Sequence, residues 1–253
     1  MNDAWRNHHR EIAVDSDVLK SNRAGNVLCL TLNRPQARNA LDLTLTRALM
    51  ASLKEFDADE ELRVMVMTGT DPAFCAGLDL KAFSDPDSPR SEVGLLLNEL
   101  PRRRKPVIGA INGAAMTGGL ELALGCDFLV ASDLARFGDT HTRIGAIAGG
   151  GMSSRLPHAV GYRWAKQMSL TCQPIDAATA LRIGLVNEVV AHDALLSRAM
   201  SLAENIAQHN PDLVATLKSV LDRGACTTLA ESIFIEREML AGSKMRGNAQ
   251  WKS

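Results

Sequence analysis

Two glycine-bearing turns carry the residues best suited to chemistry in this 253-residue chain, Ala73-Phe-Cys-Ala-Gly-Leu-Asp-Leu80 and Asn112-Gly-Ala-Ala-Met-Thr-Gly-Gly-Leu-Glu-Leu122. Each follows a stretch that reads as a β-strand. Glycine lets the backbone turn sharply and lets a ligand approach main-chain N–H groups closely. In the second turn, Gly118 and Gly119 open an apolar helix, so unpaired N–H groups and the positive end of the helix dipole point outward together. Two such turns brought together would hold the oxygen of a polarised carbonyl. Glycine pairs before a helix also serve plain packing, and composition alone leaves both readings open. The chain has no G-x-x-x-x-G-K-[ST], no G-x-G-x-x-G after a strand, no H-E-x-x-H and no G-x-S-x-G. Their absence weighs against nucleotide hydrolysis, dinucleotide redox chemistry, zinc proteolysis and a serine-hydrolase elbow.

The elements that must position these turns alternate in type. Residues 17–21 and 26–32 read as strands around a turn at Arg23-Ala-Gly25, and residues 63–68, 106–111 and 127–131 as further short strands. A helix is expected over residues 42–56, with Asp42 as its cap and Leu45, Leu49 and Leu53 along one face. Others are expected over residues 93–103 and, buried, 118–124. This alternation is an α/β pattern. Beyond residue 155 the chain turns helical, over residues 159–170, 176–184, 194–209, 212–224 and 229–240, with one strand near 185–190. The expected organisation is a flexible leader over residues 1–15, an α/β core over 16–190 and a helical C-terminal subdomain over 191–253.

With 28 basic and 29 acidic residues and 4% aromatics, the chain has neither the charge nor the stacking surface expected of a nucleic-acid partner. Its cysteines (Cys29, Cys75, Cys126, Cys172 and Cys226) are odd in number and never form a C-x-x-C pair. That argues against a disulfide framework or a metal site and fits a reducing, cytoplasmic setting. The first residues lack the apolar core of a signal peptide, and the uncharged stretch 106–120 is too short to span a membrane. The expected partner is a small molecule or another copy of the chain.

Four segments then occur in order: Asn33-Arg-Pro-Gln-Ala-Arg-Asn-Ala-Leu41, Ala73–Leu80, Ile111–Leu122 and Ala135-Arg-Phe-Gly138. With Ile183-Gly-Leu-Val-Asn-Glu-Val-Val190 they make residues 17–240 resemble the enoyl-CoA hydratase/isomerase (crotonase) family. The resemblance implies an α/β spiral of ββα units whose helical C-terminal region builds trimers or hexamers. It implies an acyl-CoA thioester as substrate, with no separate cofactor, and a thioester oxygen held by two backbone N–H groups, matched here to Leu78 and Gly118. It also assigns Ala37, Arg38, Ala76, Asp79 and Lys81 to binding of the CoA moiety.

Hydratases of this family hold a water between two glutamates. Glu121 matches the first, and its place in an otherwise apolar run suits acid–base work. The second departs from the pattern: where the family usually reads Phe-Gly-x-Pro-Glu, this chain reads Phe137-Gly-Asp-Thr-His141. His141 stands in the glutamate's place, and an imidazole exchanges protons near neutral pH. Asp139 would be a stand-in if the loop were displaced, and His141 would otherwise hydrogen-bond Asp139 or Thr142. The expected activity is a hydro-lyase adding water across the double bond of an enoyl-CoA, catalysed by Glu121 and His141. The alternatives are an isomerase with Glu121 as sole base and an inactive acyl-CoA-binding homologue. Leu95, Leu96 and Leu97 are candidate walls of the acyl pocket; the acyl group itself is not legible.

Overall fold

The computed structural model describes residues 17–85 and 87–242; the leader expected over residues 1–15 and the segment 243–253 lie outside the described residues. It begins with a hairpin, β1 (Leu19–Ala24) and β2 (Val27–Leu32), in antiparallel register with Ala24 opposite Val27. The turn is Gly25-Asn26, one residue later than expected, because Gly25 takes the left-handed φ of +58° that the turn needs.

From there the chain repeats a two-strand step. β3 (Val64–Gly69), β5 (Val107–Ile111) and β7 (Phe128–Ser132) join one sheet, while β4 (Ala73–Cys75), β6 (Ala114–Met116) and β8 (Arg136–Gly138) join a second. With β9 (Ile175–Asp176) and β10 (Glu188–Val190), the sheets have the orders β1-β2-β3-β5-β7-β10 and β4-β6-β8-β9. All pairs from β2 to β10 in the large sheet are parallel, as are β4–β6 and β6–β8. Corresponding turns of successive repeats therefore stack, and Gly113 sits so close to the Pro72 carbonyl that no side chain would fit there.

The helices are α1 (Leu43–Ala58), α2 (Ser91–Glu99), α3 (Gly118–Leu124), α4 (Met152–Thr171), α5 (Ala177–Arg182) and α6 (Leu195–Ala207), followed by α7 (Pro211–Gly224) and α8 (Leu229–Gly242). Asp42 caps α1 by accepting from Leu45 N, and Leu45, Leu49, Leu53 and Phe56 are buried. At the other end Lys105 Nζ donates to the Phe56 and Asp59 carbonyls at 2.7 and 2.6 Å, filling acceptors that a helix end leaves open. The inner strands β2, β3, β5 and β7 are buried on both faces, which is why they read as continuous apolar runs. Leu28, Leu30, Met65 and Met67 belong to the core shared with α1, α2 and α3; Val27, Cys29, Val64 and Val66 face Leu195, Ala199, Met200 and Ala203 of α6.

That packing moves the expected boundary at residue 190. α6 forms the second layer over the sheet, so the first compact unit runs to Gln208 and the helical unit begins at His209. In this second unit Asn210 caps α7 through Asp212 N and Leu213 N, and Thr228 and Glu231 form a reciprocal cap on α8. Two helices differ from expectation in the first unit. α2 stops at Glu99, and Pro101 carries the chain on as a 3₁₀ turn. α4 starts seven residues early and passes Pro157 before bending at Gly161, whose φ is +76°. Among the described residues no helix is long and apolar enough to cross a membrane.

Candidate active site

The two glycine turns meet. Leu41 N donates to Gly77 O at 2.7 Å and Asp79 N to Leu41 O at 2.9 Å, which turns the intervening Leu78 N–H to the opposite side of this short extended segment. Gly77 has φ +99°, and a Cβ there would collide with Thr117 Oγ1 and lie 3.2 Å from Gly118 N. A Cβ at Gly119 would collide with the Cys75 carbonyl oxygen. Both glycines are thus demanded by close backbone approach. Thr117, a β-branched residue, is held at φ +47°, ψ −117° by the bonds Thr117 N to Gly138 O and Glu121 N to Thr117 O, at 2.9 and 3.0 Å. Such strain persists only where the surroundings over-determine it. Gly118 differs: a Cβ there would make only ordinary 3.5 Å contacts with Gly77 Cα and Leu78 N. The Gly118 backbone thus packs against Gly77 and Leu78, and among the described residues neither Leu78 N nor Gly118 N donates to a backbone acceptor.

Glu121, one turn further along α3, is buried. Its Oε1 accepts from Gly150 N at 2.8 Å and Met152 N at 3.1 Å. Oε2 lies 3.8 Å from His141 Nε2. The other ring nitrogen, Nδ1, lies 2.7 Å from Asp139 Oδ1. The hydrogen bond to Asp139 raises the His141 pKa above its usual value; burial opposes this, and the charges of Glu121 and Asp139 reinforce it. Burial alone would raise Asp139, but hydrogen bonds from the His141 side chain, Ser169 and the His141 backbone hold it below the usual carboxylate range. Leu97 and the Glu121 carboxyl carbon crowd Gly150, leaving no room for a side chain there. Of the three candidate wall residues, Leu97 packs against Gly150 beside Glu121; Leu96 and Leu97 both belong to the core, and Leu95 is exposed.

The residues matched to CoA binding lie on two tied loops. Arg38 is exposed at φ +51°, and its carbonyl accepts from Ala76 N at 3.0 Å; Ala37 and Ala76 are half-buried and Lys81 is exposed. Asp79 is engaged within the chain. Its Oδ2 pairs with Arg34 Nη2 at 3.0 Å, and its Oδ1 accepts from Lys81 N and Ala82 N. Burial would raise its pKa, yet the Arg34 hydrogen bond and charge and the two backbone donors bring it below the usual range.

Sequence reasoning missed three supports. Arg34 bridges Asp42 and Asp79, each at 3.0 Å. Asn39, fully buried at φ +55°, accepts from Arg34 N and donates to the Thr70 and Ala73 carbonyls. Arg155 donates to the Gly150 and Leu97 carbonyls, bracing the segment that holds Glu121. The run Gly149-Gly150-Gly151 was the available signal for the Glu121 anchor.

A ββα spiral whose repeats press two N–H-bearing turns against a buried carboxylate is the crotonase architecture. Residues 22–249 match the family model described as enoyl-CoA hydratase/isomerase, and the chain belongs to that family. It is 42% identical over 218 residues, 85% of each chain, to a probable enoyl-CoA hydratase of Rhizobium meliloti. It is 36% identical over 222 residues, again 85% of each, to the short-chain-enoyl-CoA hydratase of Clostridium acetobutylicum. The crystal structure of enoyl-CoA hydratase from Bacillus anthracis superposes with a TM-score of 0.86 at 32% identity, covering 89% of this chain and 90% of that one. That from Mycobacterium tuberculosis superposes at 0.76 with 46% identity, covering 89% and 98%.

Proposed function

We propose that this chain is a hydro-lyase adding water across the α,β double bond of an enoyl-CoA. The observation that carries the reading is the pairing of Glu121 Oε2 and His141 Nε2 at 3.8 Å, with Glu121 Oε1 already committed to two backbone donors. One water at about 2.8 Å from each group fits that separation, lying off the line that joins them. The Leu78 and Gly118 N–H groups hold the thioester oxygen and stabilise the negative charge that grows there as water attacks the β-carbon. Glu121 takes a proton from that water, and protonated His141 gives one to the α-carbon. The proton on Glu121 then passes to His141 and restores the starting state, so the sum is one water added. The chemistry consists of proton transfers and needs no separate cofactor.

Ala37, Arg38, Ala76 and Lys81 place the CoA moiety along the two tied loops, while Asp79 acts by holding Arg34. The exposed stripe Leu213, Leu217 and Leu221 on α7 suits contact with another copy, and the assembly proposed is a cytoplasmic homotrimer or hexamer.

The test is crotonyl-CoA turnover by wild type and Glu121→Gln, whose amide retains the Oε1 acceptor. Formation of 3-hydroxybutyryl-CoA, lost by about 10²- to 10⁴-fold in Glu121→Gln with CoA binding kept, supports hydration. A shifted double bond without added oxygen, on a longer enoyl-CoA, puts isomerisation in its place. Binding without turnover of either kind leaves an acyl-CoA-binding protein.

A further inference from the structure

His141 carries two nitrogens, and the reaction proposed above needs a particular one facing Glu121. The backbone of His141 is fixed: its carbonyl accepts from Ile144 N and Ala146 N at 3.1 and 2.9 Å. Backbone anchoring does not choose between the two ring faces, because rotating an imidazole by half a turn exchanges a nitrogen for a carbon at nearly the same place. Asp139 makes the choice. Its Oδ1 meets both the His141 backbone N–H at 3.2 Å and Nδ1 at 2.7 Å. The Asp-Thr-His spacing allows this closed loop, since an aspartate side chain readily accepts from the backbone two residues on. Asp139 is itself 6% exposed, enclosed between this turn and Ser169 of α4. The neighbouring Thr142 hydroxyl faces Cys172 Sγ and the Ser169 carbonyl instead.

We infer that Asp139 is a positioning residue, which locks the His141 ring with its proton on Nδ1 and aims Nε2 at Glu121, so that Asp139, His141 and Glu121 act as one relay. The inference rests on the reading that His141 and Glu121 flank the reacting water. A carboxylate can only accept, so Nδ1 carries the hydrogen and Nε2 becomes the site of proton exchange. The charged groups around the ring are Asp139 on its own turn, Glu121 from α3, and Arg155 of α4, which acts on Glu121. Arg143 lies on the same turn and donates to the Cys172 carbonyl.

The experiment reads the ring directly. Protein labelled with ¹⁵N-histidine is titrated over about pH 5 to 9 by long-range ¹H–¹⁵N NMR, as wild type, Asp139→Asn and Asp139→Glu. Subtraction of His141→Gln assigns the signal among the six histidines. Wild-type neutral His141 is expected as the Nδ1–H tautomer. In Asp139→Asn its midpoint falls, the tautomer becomes mixed, and the ionisation of His141 in the pH profile of kcat/KM moves down with it. kcat drops about 10- to 100-fold, within what a positioned proton-transfer group contributes, while KM changes far less. Asp139→Glu restores most of the tautomer preference.

An Nε2–H tautomer in wild type overturns the inference even if neither variant folds. So does an Asp139→Asn protein whose tautomer and midpoint match wild type. The spectrum is independent of turnover: the expected NMR result with no hydration removes the proposed reaction and keeps the positioning, whereas hydration with an unmoved spectrum does the reverse.

Discussion

Gly118 and Gly119 are adjacent, identical in type, and predicted to respond in opposite ways to the same methyl group. At Gly119 the added carbon strikes the Cys75 carbonyl, so Gly119→Ala must move backbone and is expected to lose stability heavily. At Gly118 it meets Gly77 Cα and Leu78 N at 3.5 Å, an ordinary contact, and the backbone is not in the left-handed region. Alanine within a helix gains about 0.5–1 kcal/mol over glycine; Gly118→Ala is therefore expected to melt within a few degrees of wild type. The same methyl stands beside Leu78 N, where an accepting oxygen must approach to about 2.9 Å. Displacing that oxygen from one donor costs about 2.7–4 kcal/mol of transition-state stabilisation, or 10²- to 10³-fold in rate. The assay pairs thermal unfolding with initial rates on crotonyl-CoA for both variants. A Gly118→Ala protein that folds and turns over at the wild-type rate would refute the placement of the reacting oxygen between these two turns. One that fails to fold would refute the packing argument.

Three further perturbations test the supports. Arg34→Met leaves the Asp42 and Asp79 carboxylates without the guanidinium that bridges them and is expected to cost about 3–5 kcal/mol in urea unfolding; a loss below about 1 kcal/mol refutes a structural role for the bridge. Asn39→Ala removes three hydrogen bonds made by a buried side chain and puts alanine at φ +55°, for a combined loss of about 3–5 kcal/mol in the same assay. For the Asp139–His141 pair, the raised His141 pKa contributes stability that is complete below about pH 6.5 and fades as pH rises through the raised value; the lowered Asp139 pKa contributes above about pH 3.9 and fades as pH falls through the lowered value. The Tm advantage of wild type over His141→Gln should therefore peak between about pH 4 and 6.5 and shrink toward pH 9, and an advantage that grows with rising pH contradicts the pairing.

What was legible in the sequence was local. Asp42 followed by leucines at positions 45, 49 and 53 carries both the cap and the buried face of α1, and both are found. The strand runs were legible because parallel strands buried on two faces are apolar throughout. The end of the first unit was not, because α6 is amphipathic like the helices after it and only the sheet it covers sets it apart. In the site, Glu121 and the two turns were visible as motifs. The partners of Glu121, Gly150 N and Met152 N, lie 29 and 31 residues away in sequence, and no periodicity reports such a pairing. Nor does composition distinguish Gly119, where a side chain cannot fit, from Gly118, where space is left open.

If His141 stands where the family pattern has a glutamate, as the resemblance implies, charge decides what the proposed site can do. Two carboxylates a few ångströms apart cannot both ionise freely, so a glutamate pair tends to share one proton and carry a net charge of about −1. Histidine alone beside Glu121 would, when protonated, make that sum zero. In the proposed reaction Asp139 restores it: Asp139 and Glu121 as carboxylates with His141 protonated again total −1, and the proton exchanged is the one on Nε2, which faces Glu121 at 3.8 Å while Nδ1 stays bonded to Asp139 at 2.7 Å. On that proposal the site keeps both the charge and the mobile proton of the pattern it departs from. The cost is a third residue, which has to be held, and the two contacts at Asp139 Oδ1 hold it to the same turn that carries the histidine. On this argument His141→Glu alone adds a third carboxylate to a cluster built for two. The matching exchange is His141→Glu with Asp139→Asn, and the double variant should turn over crotonyl-CoA faster than the single one.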